Sequence, residues 1–281
     1  MKKFKIGIQL YSVRDEMEKD MEGTIKKIAD MGYDCVEFAG YFGHTAEEVR
    51  KMCEKCGITP ISVHQRNDAF IDDPKGSVDF LKELGVKYCA IPWVDPKRWE
   101  EEYDAVVSEI RKTGELFKDS GIKLMYHNHD FELTIKHNGK FVLDSLYEEI
   151  PSDLLLPQLD MCWVNYAGQD PIEYIKKYGD VEEVLHVKDF ECKNLAAGPV
   201  YALIDSKGND GKRPDREATG FEFRPVGYGR QDFKAILKAA EDTKIKYVIV
   251  EQDAHPTNTS LEDAKLSLDY LRAIGYSEEI L

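Results

Sequence analysis

Eight times along the chain a short apolar run ends in a polar or aromatic residue and gives way to a helix-like stretch. The runs are FKIGIQL (4–10), CVEFA (35–39), ITPISVH (58–64), YCAIPW (88–93), IKLMYH (122–127), LLLPQLD (154–160), EVLHVK (183–188) and KYVIVE (246–251). Several are rich in Val, Ile and Leu with little polar alternation, as strands covered on both faces require. Between them lie amphipathic helices. TIKKIADMG (24–32) puts Ile25, Ile28 and Ala29 on one stripe and ends at Gly32, and similar glycine stops stand at Gly57, Gly85, Gly121 and Gly179. A repeated strand–helix–glycine–strand order predicts an α/β chain, a (β/α)8 TIM barrel. A barrel of this type commonly takes about 250 residues, so residues 1–281 are expected to form a single domain.

Two segments break the rhythm. FELTIKHNGKFVLD carries Asn138-Gly139 between two β-like runs, a hairpin signal. Residues 190–228 are far longer than a common βα loop. Both leave from strand C-terminal ends, so both are expected to overhang one face, as a lid, a homo-oligomer contact or a plain solvent loop.

The net charge of -15 argues against a nucleic-acid backbone as partner, which needs clustered Lys and Arg. Six cysteines in so long a chain do not form a disulfide framework. Cys53 and Cys56 form a C-x-x-C inside a helical stretch with no second pair, so two helix residues, one turned inward, are expected. The start, MKKFKIGIQLYS, alternates like a strand and does not read as a signal peptide, and no run reaches membrane-spanning length. A reduced, cytoplasmic protein is the expectation.

In a parallel barrel all strand C-terminal ends open onto one face, where active sites form. The run ends here carry Gln9, Glu37, His64, Trp93, His127 and His129, Asp160, His186 and Lys188, and Glu251. Asp160, His186 and Glu251 end three consecutive strands. Two carboxylates and an imidazole suit a divalent ion of intermediate hardness and leave positions open for substrate oxygens. An ion so held can polarise a carbonyl and stabilise an enediolate. His127 and His129, two apart, point the same way on a strand; His127 is the first candidate for the remaining ligand and His129 the second.

The stretches YHNHDFE, LDMCWVNYAGQDP, HVKD, RPVGYGRQDF and YVIVEQD, in that order and after GIQLYS, resemble the sugar phosphate isomerase/epimerase superfamily with its xylose-isomerase-like barrel. The resemblance implies one divalent metal held by Glu, Asp, His and Glu at the ends of strands five to eight, hence Asp160, His186 and Glu251 as ligands. At the fifth strand the chain departs from the pattern, with His127 where the family has Glu. In the epimerases that Glu and the eighth-strand Glu act as two bases. The resemblance therefore implies catalysis by Glu251 and His127; Lys188, directly after the His186-Val187 pair, is placed to neutralise an enolate or carboxylate. Glu37, His64, Trp93, His129, Trp163 and Arg224 are candidate substrate contacts; core packing and salt bridges, for Lys188 to Asp189 or Glu251, are the alternatives. Imidazole favours manganese, cobalt, zinc or iron over magnesium, with Mn2+ first.

The expected activity is isomerisation or epimerisation of a sugar or keto-sugar through proton removal beside a carbonyl and a metal-stabilised enediolate. Elimination from a keto-inositol or 3-keto-glycoside is the rival. More distant are an apurinic-endonuclease-like activity, which needs a multi-metal cluster with more His and carboxylate ligands, whereas of the seven histidines His44, His137 and His255 do not lie at strand ends in the needed pattern, and a catalytically silent sugar-binding barrel.

Overall fold

The computed structural model describes residues 4–193 and 220–277. Eight parallel strands form a nearly closed barrel: Lys5–Gln9, Cys35–Phe38, Thr59–His64, Tyr88–Ile91, Lys123–His127, Leu156–Gln158, Val184–Val187 and Tyr247–Val250. Neighbours in sequence are neighbours in space from the first strand to the sixth, and the eighth pairs with both the first and the seventh. Between sixth and seventh the ladder is reduced to an isolated parallel bridge, Asp160 with His186. There the amide of His186 donates to Leu159 O at 2.9 Å, and the Leu159 amide donates instead to the Glu182 carboxylate at 2.7 Å.

Strand periodicity sends alternate side chains to the two faces. The outward set packs under the helices in one large apolar layer that includes Ile6, Ile8, Val36, Val63, Cys89, Leu124, Leu185 and Val248. The inward set fills the barrel with Cys35, Ile61, Tyr88, Ala90, Met125, Leu156, Val184 and Ile249. Gly7 belongs to the inner face for want of room: a Cβ there would stand 2.6 Å from Ile249 Cδ1 and 2.8 Å from Cys35 Sγ. One layer further along most of the strands the inward positions turn polar, with Gln9, Glu37, His127, Gln158, His186 and Glu251, and that layer is the site described below.

Helix ends follow from their sequences. Thr45 and Glu48 form a capping box ahead of Ala46–Cys56, which stops at Gly57 in the left-handed region (φ 71°). Cys53 is buried and Cys56 half-buried on that helix, both as free thiols. Gly32 and Gly85 are left-handed stops as expected. Gly179 is not: its φ is −61°, and it is small because a Cβ would meet Thr243 Cγ2 at 2.4 Å and Ile175 O at 2.6 Å. The Asn138-Gly139 turn has φ 50° and 82°, and joins the short antiparallel pair Lys136–His137 and Lys140–Phe141.

Of the 190–228 insertion, residues 194–219 lie outside the described residues. Its stems are described: Asp189–Glu191 pairs antiparallel with Glu222–Arg224. No described helix is long and apolar enough to cross a membrane.

Candidate active site

The polar layer begins where the second strand slips register against the third, between Val36 and Glu37. Such irregularities re-aim side chains beside functional sites. Glu37 turns into the barrel with none of its surface exposed. Its Oε1 accepts from Gln9 Nε2 at 2.7 Å and lies 2.9 Å from both His64 Nε2 and His186 Nε2. Its Oε2 accepts from Gln158 Nε2 at 2.7 Å and from the Ser62 hydroxyl. Burial pushes the Glu37 carboxyl up, but the facing His64 and His186 rings outweigh it and hold it well below the usual carboxylate range.

Above Glu37, four donors converge. One ligand atom from each of His127, Asp160, His186 and Glu251 lies within 4.8 Å of all the others, and all four residues are buried. His186 Nδ1 stands 2.9 Å from Glu251 Oε2; His127 Nε2 is 3.8 Å from Asp160 Oδ2 and 4.0 Å from Glu251 Oε2. Asp160 uses one oxygen, Oδ1, to cap helix Met161–Tyr166 through the Cys162 amide at 2.8 Å. The helix cap and the inward carboxylate are thus one residue, with Oδ2 left for the cluster. Asn128 fixes its backbone, accepting from the Asp160 amide at 3.0 Å.

The electrostatics separate these groups. Burial opposes the His186 imidazolium, yet Glu37 and Glu251 on its two sides raise it to about 10. Burial, reinforced by the His186 and His64 rings, drives His127 well below the usual imidazole range and keeps it neutral. Burial also opposes ionisation of Glu251, but Lys188 and His186 hold it well below the usual carboxylate range. For Asp160 burial prevails over Lys188 and its carboxyl is raised.

Lys188 is almost wholly buried beside the cluster. Its Nζ stands 3.2 Å from Asp160 Oδ2, Glu251 Oε2 and Asp253 Oδ2 alike, and 5.1 Å from the centre of the Trp163 ring. Asp189, the other partner weighed for Lys188, accepts from the backbone amides of Phe190, Gly227, Gly229 and Gln231. A Cβ at Gly229 would lie 2.4 Å from Asp189 Oδ1, so the Gly-x-Gly turn is shaped around that carboxylate.

The remaining candidates are dispersed. His64 is near the cluster, its ring 4.8 Å from His127 and 5.3 Å from His186. His129 is outside the four-donor set: its amide donates to buried Glu132, and its ring packs edge-on to Trp93 at 5.1 Å and over Phe131 at 5.5 Å. Trp93 is half-buried beyond the end of the fourth strand, while Trp163 is fully buried among Phe221, Phe223 and Tyr166, the packing alternative. Arg224 is not brought to the cluster; its guanidinium turns to Glu222 and to the Phe223 carbonyl. His44, His137 and His255 are engaged elsewhere, with Glu48, Tyr103 and Asp263. Gln158 and Asp253 were not singled out from the sequence; Asp253, two past Glu251, carries the same period-two signal that marked His127 and His129.

Residues 25–274 match the xylose isomerase-like TIM barrel family. The chain belongs to that family. An inosose dehydratase of Clostridium perfringens is 24% identical over 266 residues, spanning 85% of this chain and 84% of that enzyme. A crystal structure of a sugar phosphate isomerase/epimerase from Parabacteroides distasonis superposes with a TM-score of 0.76 at 22% identity, covering 99% of this chain and 96% of that one. A structure of an IolI protein with a bound zinc atom gives a TM-score of 0.68 at 16% identity over 98% of this chain and all of that one. Both structural likenesses are those of fold.

Proposed function

We propose that the chain is a divalent-metal-dependent lyase acting on a polyhydroxy ketone, a keto-sugar or keto-cyclitol: the C–H bond beside the carbonyl and the C–O bond of the β-substituent break as a C=C bond forms, and the proton and the β-hydroxyl leave together as water. The observation that carries this reading is the buried four-donor cluster. Bonds of about 2.0–2.2 Å to a shared ion place neighbouring donors roughly 3–4 Å apart, and the separations of 2.9, 3.8 and 4.0 Å within the cluster suit that. Asp160 Oδ2 and His127 Nε2 face each other at 3.8 Å across the cluster, and Asp160 Oδ2 makes no hydrogen bond, the Lys188 ammonium standing 3.2 Å from it. His127, Asp160, His186 and Glu251 would hold the ion, which when bound supplies Lewis-acid polarisation of the ketone. Imidazole and carboxylate together suit manganese, cobalt, zinc or iron.

This chain's own groups do the rest. Glu251, ionised, is the base for the proton beside the carbonyl. Lys188, fixed by Asp253 outside the cluster, places a positive charge where the enolate forms. His127, held neutral and with its proton affinity suppressed, is a poor second base. One good base fits elimination better than epimerisation, which needs proton carriers on both faces of the substrate. The inosose dehydratase relative supports the same choice. Asp189 already occupies the amides of the Gly227–Gly229 turn, which speaks against that turn as a phosphate cradle.

Isomerisation or epimerisation is the second reading, and His64 favours it. Partly exposed beside His127 and His186, it could return a proton from a second direction. Incubating the metal-loaded enzyme with keto-inositols, keto-sugars and 3-keto-glycosides in D2O and following products by NMR separates the two. Loss of water or of an aglycone supports the lyase; an epimer with deuterium at the reacting carbon refutes it. We further read residues 1–281 as one barrel domain, with the 190–228 insertion on the side of the strand C-terminal ends.

A further inference from the structure

We infer that Glu37 is a positioning residue for the centre, acting through His186 and not on substrate; this rests on the metal-binding reading above. Glu37 offers no surface to a ligand, and each of its contacts is with a group that donates. Gln9 has its Oε1 committed to the Tyr11 amide at 3.0 Å, so the amide nitrogen is what faces Glu37. His64 Nε2 lies between two acceptors, Glu37 Oε1 and Gln158 Oε1 at 3.0 Å, so it carries a proton. Gln158, with its oxygen toward His64, must then present its nitrogen to Glu37. Side chains from the first, third and sixth strands thus fix the carboxylate from the sides.

Its remaining neighbour is His186 Nε2, 2.9 Å away, as an ion-pair contact and not an aligned hydrogen bond. A carboxylate there favours the proton on Nε2. Nδ1, 2.9 Å from Glu251 Oε2, is then the nitrogen turned toward His127, Asp160 and Glu251, and it gives up its proton when an ion is held there. Metal-bound histidines are held this way, with the outer nitrogen's N–H turned to a carboxylate that sets tautomer and ring orientation. A glutamine at position 37 would set an NH2 against a ring of donors, so the ionised carboxylate is what the surroundings demand.

The test uses the full-length protein. Zinc and cobalt(II) affinities are measured by chelator competition for wild type, Glu37→Gln and Ser62→Ala, with the visible spectrum of the cobalt forms and a thermal melt of each. We expect Glu37→Gln to weaken metal binding about 10–100-fold, the usual effect of losing such a partner, and to alter the cobalt spectrum. Ser62→Ala, which removes a donor to the other oxygen, should keep the wild-type spectrum and affinity. A folded Glu37→Gln with wild-type affinity and spectrum would overturn the proposal, whatever its melting temperature. Should that variant not fold, nitrogen-15 NMR of zinc-loaded wild type decides: a protonated Nε2 and a metal-bound Nδ1 on His186 support the proposal, and the reverse refutes it. If wild type binds no divalent ion, the lyase reading falls as well, an outcome distinct from loss of the Glu37 effect alone.

Discussion

Replacing Lys188 by Met tests the charge balance of the centre directly. Its ammonium is 3.2 Å from an oxygen of each of Asp160, Glu251 and Asp253, and only 1% of its side chain is exposed. Methionine keeps most of the volume and removes the charge, leaving three carboxylates facing one another in a site from which water is largely excluded. Breaking a buried charge pair from one side costs about 3–5 kcal/mol. At roughly 2–4 °C per kcal/mol for a chain of this size class, the metal-free variant should melt about 6–20 °C below wild type. A divalent ion should restore much of this, since it neutralises the same oxygens. Saturation at 100 times Kd is worth about 2.7 kcal/mol, and the variant's Kd should be tighter because the ammonium no longer competes for Asp160 Oδ2 and Glu251 Oε2. The assay is calorimetry of both proteins in chelator and again with excess zinc or manganese. Equal melting temperatures in chelator, or equal gains with metal, would refute the reasoning.

Asp160→Ala should abolish metal uptake and turnover, measured by elemental analysis and product NMR, with the barrel's circular dichroism retained. His127→Gln should lower activity by orders of magnitude and His129→Gln by less, because only the former ring faces the donor set; comparable kcat/KM values would contradict this. Glu183, at the opposite barrel mouth, is bound by Lys123, Lys246 and the Tyr88 hydroxyl. Burial opposes its ionisation, but those partners bring it from 4.5 to about 2. A carboxyl depressed in the folded state stabilises above its unfolded value, and the benefit is lost as pH falls from 4.5 toward 2. After discounting for the exposed lysines, Glu183→Gln should lose about 1–2 kcal/mol at neutral pH, with the deficit shrinking below the unfolded value in urea titrations. Gly7→Ala should destabilise by about 1–3 kcal/mol through overpacking against Ile249 and Cys35; unchanged urea midpoints would show that the neighbours yield.

The strands were legible because burial on both faces demands unbroken apolar runs, and the site because polar residues ending such runs have few other reasons to be there. His127, Asp160, His186 and Glu251 stand at run ends and meet. What the sequence could not show was the second tier. Glu37 was visible as a strand end, but its full engagement depends on a register slip at Val36 and on Gln9, Ser62 and Gln158 arriving from other strands. The role of Asp189 depends on amides about forty residues later, across the insertion. Gly179 looked like the other helix stops because a glycine needed for close approach and one needed for a left-handed turn are the same letter.

The thinnest join of the barrel has its own consequence. Asp160 and His186, two of the four donors, are also the bridge between the sixth and seventh strands. Under the metal-binding reading proposed above, strain at that seam would move the ligands, and filling the site would pin the seam. Amide exchange at His186 and Leu159 should slow on loading with metal more than exchange elsewhere in the sheet, so the ion would serve as the last rivet of the cylinder as well as the seat of its chemistry.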